Sequence, residues 1–474
     1  MKRDASGSMF YLKESFMQSN WLIEIMKRAQ TGPFMKENEF DLLLAKRIKA
    51  LVKQYGIQYD PNNLVPADDG LADRVFQAAL DLFVDVGVYC QTTERCIRFS
   101  RDEVLALVAQ ARSEIVLGTG KDAVVMRHRG VEDPQRAVMH SGPTGTPCTE
   151  RYHPLILLSC AQEPLVDCLG AGSVSTYFGA KILPGSPLEI LGSRRDAGVA
   201  REAVRMAGRP GMHINDVAVS LTCAGKMAAL DPAAGLRPSD GFLVSQMVEL
   251  KTDFDQLSRV AALYNYGGVI VDLMTPLIGG VGGAAPGTAV VSVADHLLGV
   301  VLYDADYHMF SLTHLHYVNN TDPLGIWVQA VVGQALARNT PIVALNDIYV
   351  VSGPGTKELL YECAVGAIVG TVCGFNMQGA GTTGGFRADH TTGLEARFIA
   401  EVSRASLSLS RADAAGWAQA LLPRYQETLT NPNRGKPFPE VYDVETVQPK
   451  EEWLAMYHAV KDELAGLGLK FGNP

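Results

Sequence analysis

The chain has 474 residues, enough for a barrel of about 250 residues with additions, and its 47% hydrophobic and 20% charged content excludes extensive disorder. A formal charge of −9 argues against a general nucleic-acid binder, which needs a basic excess or a basic stripe. Eight scattered cysteines without a C-x-x-C pair suggest neither a zinc knuckle nor a disulfide framework.

The N-terminus, Met1 to Ser8, has neither the apolar core nor the cleavage site of a signal peptide, so a cytoplasmic protein is expected. Leu44, Ile48, Leu51, Val52 and Tyr55 recur at helical spacing over 39–55, and Val75, Ala79, Phe83 and Val86 do so over 70–87. Short β-branched runs follow at Val88 to Cys90, Ile115 to Leu117 and Val124 to Met126. Residues 1–150 therefore read as a helical and α+β elaboration.

Beyond residue 150 short apolar strands alternate with longer helical stretches, the mark of βα units. Strands are expected at Leu165 to Leu169, Gly211 to Ile214, Val269 to Leu273, His308 to Leu312, Ile342 to Leu345 and Gly374 to Met377. Helices are expected at Pro187 to Ala207, Phe254 to Tyr264, Ala289 to Leu302, Gly325 to Ala337 and Thr356 to Val369. The fold class is α/β: a TIM-type (β/α)8 barrel over 151–474, closed by C-terminal helices. The apolar run Gly279 to Val301 is broken by glycines, Pro286, Asp295 and His296, and no membrane span is expected there.

In such a barrel chemistry sits at the C-terminal strand ends. Asn215 directly follows one expected strand, Leu273 ends another, and Asn346-Asp347-Ile348-Tyr349 follows a third. Asp347 and Tyr349 lie two residues apart, so both groups can face one side and hold a cation by charge and by the ring face. A helix-capping Asp and a rim-packing Tyr fit the same spacing. His213 lies just inside its strand end, where a core histidine and a pocket residue are both consistent. His308, His314 and His316 form the main histidine cluster, but no cysteine or acid completes a ligand set, so no metal is expected. The glycine-rich segments match neither a Walker A loop nor a dinucleotide fingerprint. At 279–283, with Gly280, Gly282 and Gly283, and at 379–385, around Thr382, they permit either tight turns or close approach of a flat ligand.

The stretch Met206 to Asn215 resembles the one that ends in pyrrolysine in the monomethylamine corrinoid-protein methyltransferases. Further blocks that resemble this family are Gly87 to Cys90, Val116 to Val124, Gly142 to Pro147, Thr391 to Arg397 and Tyr442 to Val447. The resemblance runs from about residue 39 to Phe471. It implies an eightfold barrel, commonly oligomeric, that passes a methyl group to a partner corrinoid (cobalamin) protein. It also implies that Asn215 stands where the family has pyrrolysine. Leu243 and Leu273 stand for two glutamates, Asp347 for a glutamine, and Tyr349 for a tyrosine. Exchange of both acids together with the pyrrolysine implies a reshaped pocket, since two acids without their partner would leave charge stranded in a confined site.

The expected function is therefore methyl transfer, without pyrrolysine, from a small N-methylated compound, a quaternary amine for preference, to the Co(I) of a partner corrinoid protein. The catalytic candidates are Asn215, Asp347 and Tyr349. Leu243, Leu273 and His213 are assigned to the substrate pocket. Two other readings stay open: an O-methyl or S-methyl donor helped by zinc or a general acid, and a homologue that only binds a methylated ligand or a corrinoid protein.

Overall fold

The computed structural model describes residues 21–215 and 220–472. Eight parallel strands form a nearly closed barrel in chain order: β1 Met139–Ser141, β2 Cys168–Gly170, β3 His213–Asn215, β4 Gly241–Ser245, β5 Val269–Met274, β6 Tyr307–Phe310, β7 Ala344–Tyr349 and β8 Asn376–Gly381. β1 pairs with β8, and the ladder is open only between β3 and β4. There, side chains and loops take over: Asp240 Oδ1 accepts from Ile214 N at 3.0 Å, and the Ser239 carbonyl bonds His213 Nδ1 at 2.8 Å.

β1 lies ahead of residue 151, so the barrel begins upstream of the change in sequence texture. It is too short to show a period. β4 also lies outside the expected strands, because it opens on a glycine and runs only five residues.

Local chemistry fixes the surrounding helices. Asp253 caps Phe254–Tyr266 by accepting from Gln256 N, and Gly267 in the left-handed region ends it. Asp322 caps Pro323–Asn339, and Thr356 caps Lys357–Val372. The helix Ala285–Tyr303 has the length and hydropathy of a membrane span, yet 94% of that window is buried inside the protein. Asp295 and His296 lie within it, as the expected helix Ala289 to Leu302 has them, and both are buried inside the protein. It is a core helix. The helices Gly393–Ala405, Arg411–Leu421 and Glu451–Gly466 complete the C-terminal part.

The hairpin Glu114–Leu117 and Val124–Arg127 closes the N-terminal end of the barrel. Its Ile115, Leu117 and Met126 join Val138, Val269 and Val343 in an interior apolar cluster. Asp122 accepts from Gly211 N at 2.9 Å, and Lys121 Nζ donates to the Gly208 carbonyl at 3.1 Å. Both side chains brace this plug at the end opposite the mouth. Burying such aliphatic side chains stabilises by about 1.5–3 kcal/mol each.

Candidate active site

Strand alternation decides which side chains enter the lumen. Asn346, Met377, Asp272 and His308 point outward, against helix glycines Gly370 and Gly299. Their neighbours Asp347, Gln378, Leu273 and Tyr307 therefore point inward. By the same alternation His213, Asn215, Leu243 and His140 are lumen residues.

The expected site residues thus share one lumen. Asn215 closes β3 and is 2% exposed; Leu243 and Leu273, partly exposed, line the adjoining wall on β4 and β5. On β7, Asp347 is fully buried and accepts from Ser311 Oγ at 2.9 Å. Its other oxygen, Oδ1, has no partner among the described residues. Burial pushes its carboxyl up to about 7, with the Ser311 hydrogen bond opposing. Tyr349, at the rim of the same strand, is raised by burial and then by the nearby Asp347 charge. The Cδ1–Cε1 edge of its ring packs against Gly381, where a Cβ would come within 2.6 Å. A register shift between Ile348 and Tyr349 accompanies this close approach.

Five polar lumen residues were not singled out from sequence: Ser311, Gln378, Thr144, His140 and Tyr307. Gln378 Nε2 donates to Thr144 Oγ1, and Gln378 Oε1 has no partner among the described residues. Deeper down, His140, His213 and Tyr307 meet across the lumen, with ring centroids 5.9, 5.6 and 6.4 Å apart. His213 Nε2 lies 3.4 Å from the Tyr307 hydroxyl. Burial lowers both histidines, His140 well below the usual imidazole range, so both are neutral. None of the eight barrel strands carries a Lys or Arg.

The remaining candidates lie elsewhere. His308 faces outward, hydrogen-bonded through Nδ1 to Asp272 Oδ2 at 3.0 Å. His314 ends a two-residue strand, Thr313–His314, beyond β6, and its Nδ1 accepts from His316 N at 3.1 Å. His308 lies behind the barrel wall and His314 and His316 beyond its strand end, so the three histidines do not converge. Among the described residues no group of three His, Cys, Asp or Glu side chains is placed to hold a metal. In the glycine segments Gly282 is buried under the Thr288 backbone, and Gly280 packs on Leu277. Thr382 is fully buried and donates to the Val350 carbonyl at 2.8 Å. Gly282 and Thr382 offer no surface to a ligand. Gly283 is exposed, with open space where a Cβ would stand.

A barrel with a lined polar lumen at its C-terminal mouth is that of an enzyme acting on a small molecule. The family model for the monomethylamine methyltransferase MtmB matches residues 21–469, and the chain belongs to this family of methyltransferases. It is 31% identical to monomethylamine methyltransferase MtmB of Methanosarcina mazei over 463 residues, covering 96% of this chain and 100% of that one. Monomethylamine methyltransferase MtmB2 of Methanosarcina acetivorans is likewise 31% identical over 463 residues, with the same coverage. The crystal structure of the Methanosarcina barkeri monomethylamine methyltransferase (MtmB) superposes with a TM-score of 0.91 at 29% identity, covering 95% of this chain and 98% of that one.

Proposed function

We propose that this chain transfers a methyl group from a small N-methylated compound, a quaternary amine for preference, to a corrinoid held by a partner protein. It does so without pyrrolysine, Asn215 standing at that position. The carrying observation is Asp347, a buried acid with one oxygen unpartnered among the described residues, beside Tyr349 on a barrel whose strands carry no Lys or Arg. A cation seated there would restore the ionised carboxylate and meet the negative ring face of the tyrosine.

The chain's part is to bind, orient and exclude water. Asp347 and Tyr349 hold the charged head, Leu243 and Leu273 shield its methyl groups from water, and Asn215 orients the polar remainder. When the C–N bond of a quaternary ammonium breaks, its electron pair stays on nitrogen. The amine leaves neutral, so no proton has to be supplied. The corrinoid supplies the nucleophilic cobalt, and the exposed backbone at Gly279 and Gly283 fits the approach of a flat group at the mouth. The reading includes a cytoplasmic, homo-oligomeric enzyme.

A second reading is favoured by the Asp347 carboxyl being pushed up to about 7. At neutral pH much of it is protonated, which suits a general acid for an O-methyl or S-methyl donor. An anaerobic absorbance assay with a reduced, active corrinoid protein tests both. Methylation of the corrinoid by a quaternary amine, but not by monomethylamine, is expected. Methylation only by methoxy or thioether compounds would favour the second reading, and silence across the panel would leave a binding-only homologue. Unchanged transfer in Asp347→Ala and Tyr349→Phe would overturn the residue assignment.

A further inference from the structure

The lumen wall is two-sided. β4 and β5 contribute the aliphatic Leu243 and Leu273, while β7, β8 and the turn after β1 contribute Asp347, Gln378 and Thr144. The β7–β8 register sets Asp347 directly beside Gln378. Both side chains are at most 1% exposed, and each keeps one polar atom, Asp347 Oδ1 and Gln378 Oε1, without a partner among the described residues. The wall beside them is cut back to glycine. The missing Cβ of Gly170 would stand 3.6 Å from Gln378 Nε2, and that of Gly145 would stand 3.7 Å from the Tyr349 hydroxyl.

Buried polar atoms of this kind discriminate by what they leave unpaired. A hydroxyl both donates and accepts, so it satisfies the Gln378 amide in either orientation, while Asp347 keeps the charged head. A carboxylate meets like charge at Asp347 and finds no Lys or Arg on the barrel strands to neutralise it. Resting on the methyl-donor reading above, we propose that this lumen selects a cationic donor whose tail ends in a hydroxyl and rejects one whose tail ends in a carboxylate. Gln378 is the specificity-determining residue.

The test is calorimetric titration of the full chain with three probes: tetramethylammonium, (2-hydroxyethyl)trimethylammonium and (carboxymethyl)trimethylammonium. The hydroxyethyl compound is expected to bind about tenfold or more tighter than either of the others. In Gln378→Leu its advantage over tetramethylammonium falls towards one. Gln378→Met, nearly isosteric, gives the same readout should the leucine variant not fold. Equal or tighter binding of the carboxymethyl compound overturns the inference, as does a hydroxyethyl compound no better than tetramethylammonium. In both cases the methyl-donor reading stands. Failure of all three cations to bind overturns that reading and the inference together.

Discussion

Asn215 Oδ1 lies against the place where a side chain on Gly241 would begin: a Cβ there would stand 2.9 Å from that oxygen. The same point is 2.9 Å from His213 Nε2 and 3.0 Å from the Tyr307 hydroxyl. β3 and β4 are the neighbours that share no ladder, so absence of a side chain at Gly241 lets the seam close around Asn215. Gly241→Ala is therefore expected to overpack the lumen, costing about 1–3 kcal/mol. Denaturant midpoints measure the cost. Methyl-donor binding is expected to weaken with it, and a variant as stable and as tight-binding as the parent would show that the seam has slack.

Asp347 sets the expected pH response. Its folded carboxyl is pushed up to about 7 from the usual value of 3.8, so between these values the folded chain holds the proton more tightly than the unfolded one. This group's contribution to stability therefore falls as pH rises from about 4 to about 7 and levels off above. At about 1.4 kcal/mol per pH unit, the full loss is on the order of 4 kcal/mol. Other raised carboxyls, Asp196 at about 7 and Glu395 at about 8, add similar slopes to the parent. The difference between parent and Asp347→Asn isolates Asp347: the variant is expected to gain relative stability as pH rises towards 7. Cation affinity should rise over the same window in the parent and stay flat in the variant. Parallel pH profiles for the two proteins would remove Asp347 from the site.

Much of this was legible in the sequence, for identifiable reasons. The helices Pro187–Met206 and Phe254–Tyr266 fall close to their expected spans because long apolar periodicity survives burial. Strand bounds were displaced, as at Cys168–Gly170, because a fully buried parallel strand is a continuous apolar run with no alternation to fix its register. Asn215, Leu243, Leu273, Asp347 and Tyr349 do enter one lumen. Gln378 escaped notice although Asn376-Met377-Gln378 alternates polar and apolar, a signal of an inward polar face at the end of an expected strand. Ser311 and Thr144 carry no such pattern, since each follows a strand end and is placed only by closure of the barrel.

Behind the wall, Asp272 forms a separate buried junction. It accepts from Gln246 Nε2 at 2.9 and 2.8 Å and bonds His308 Nδ1 at 3.0 Å. The helix leaves room for it at Gly299, where a Cβ would lie 1.9 Å from Asp272 Oδ2. Gly299→Ala is expected to push the carboxylate off its two donors and cost about 3 kcal/mol or more, since buried donors left unpaired carry their full desolvation penalty. Because the two changes share one cause, the double variant with Asp272→Ala should cost less than the sum of the singles. Strict additivity in denaturant unfolding would show that the helix and the acid act independently.

The histidines near the mouth give the last expectation. His314 Nδ1 accepts from His316 N at 3.1 Å and from Tyr317 N at 3.4 Å, so its ring caps the turn after the β6 extension. Burial lowers it, with the neighbouring His316 as the second cause, which keeps that nitrogen an acceptor near neutral pH. His308 lies behind the barrel wall and cannot join them. His314→Ala should therefore cost about 1 kcal/mol through loss of the cap, while His316→Ala, on an exposed side chain, should be close to neutral. Incubation with a strong chelator should leave the thermal midpoint and methyl transfer unchanged in the parent. A drop in either that zinc restores, and that both variants abolish, would replace the capping role with a metal site and move the donor towards O-methyl or S-methyl compounds.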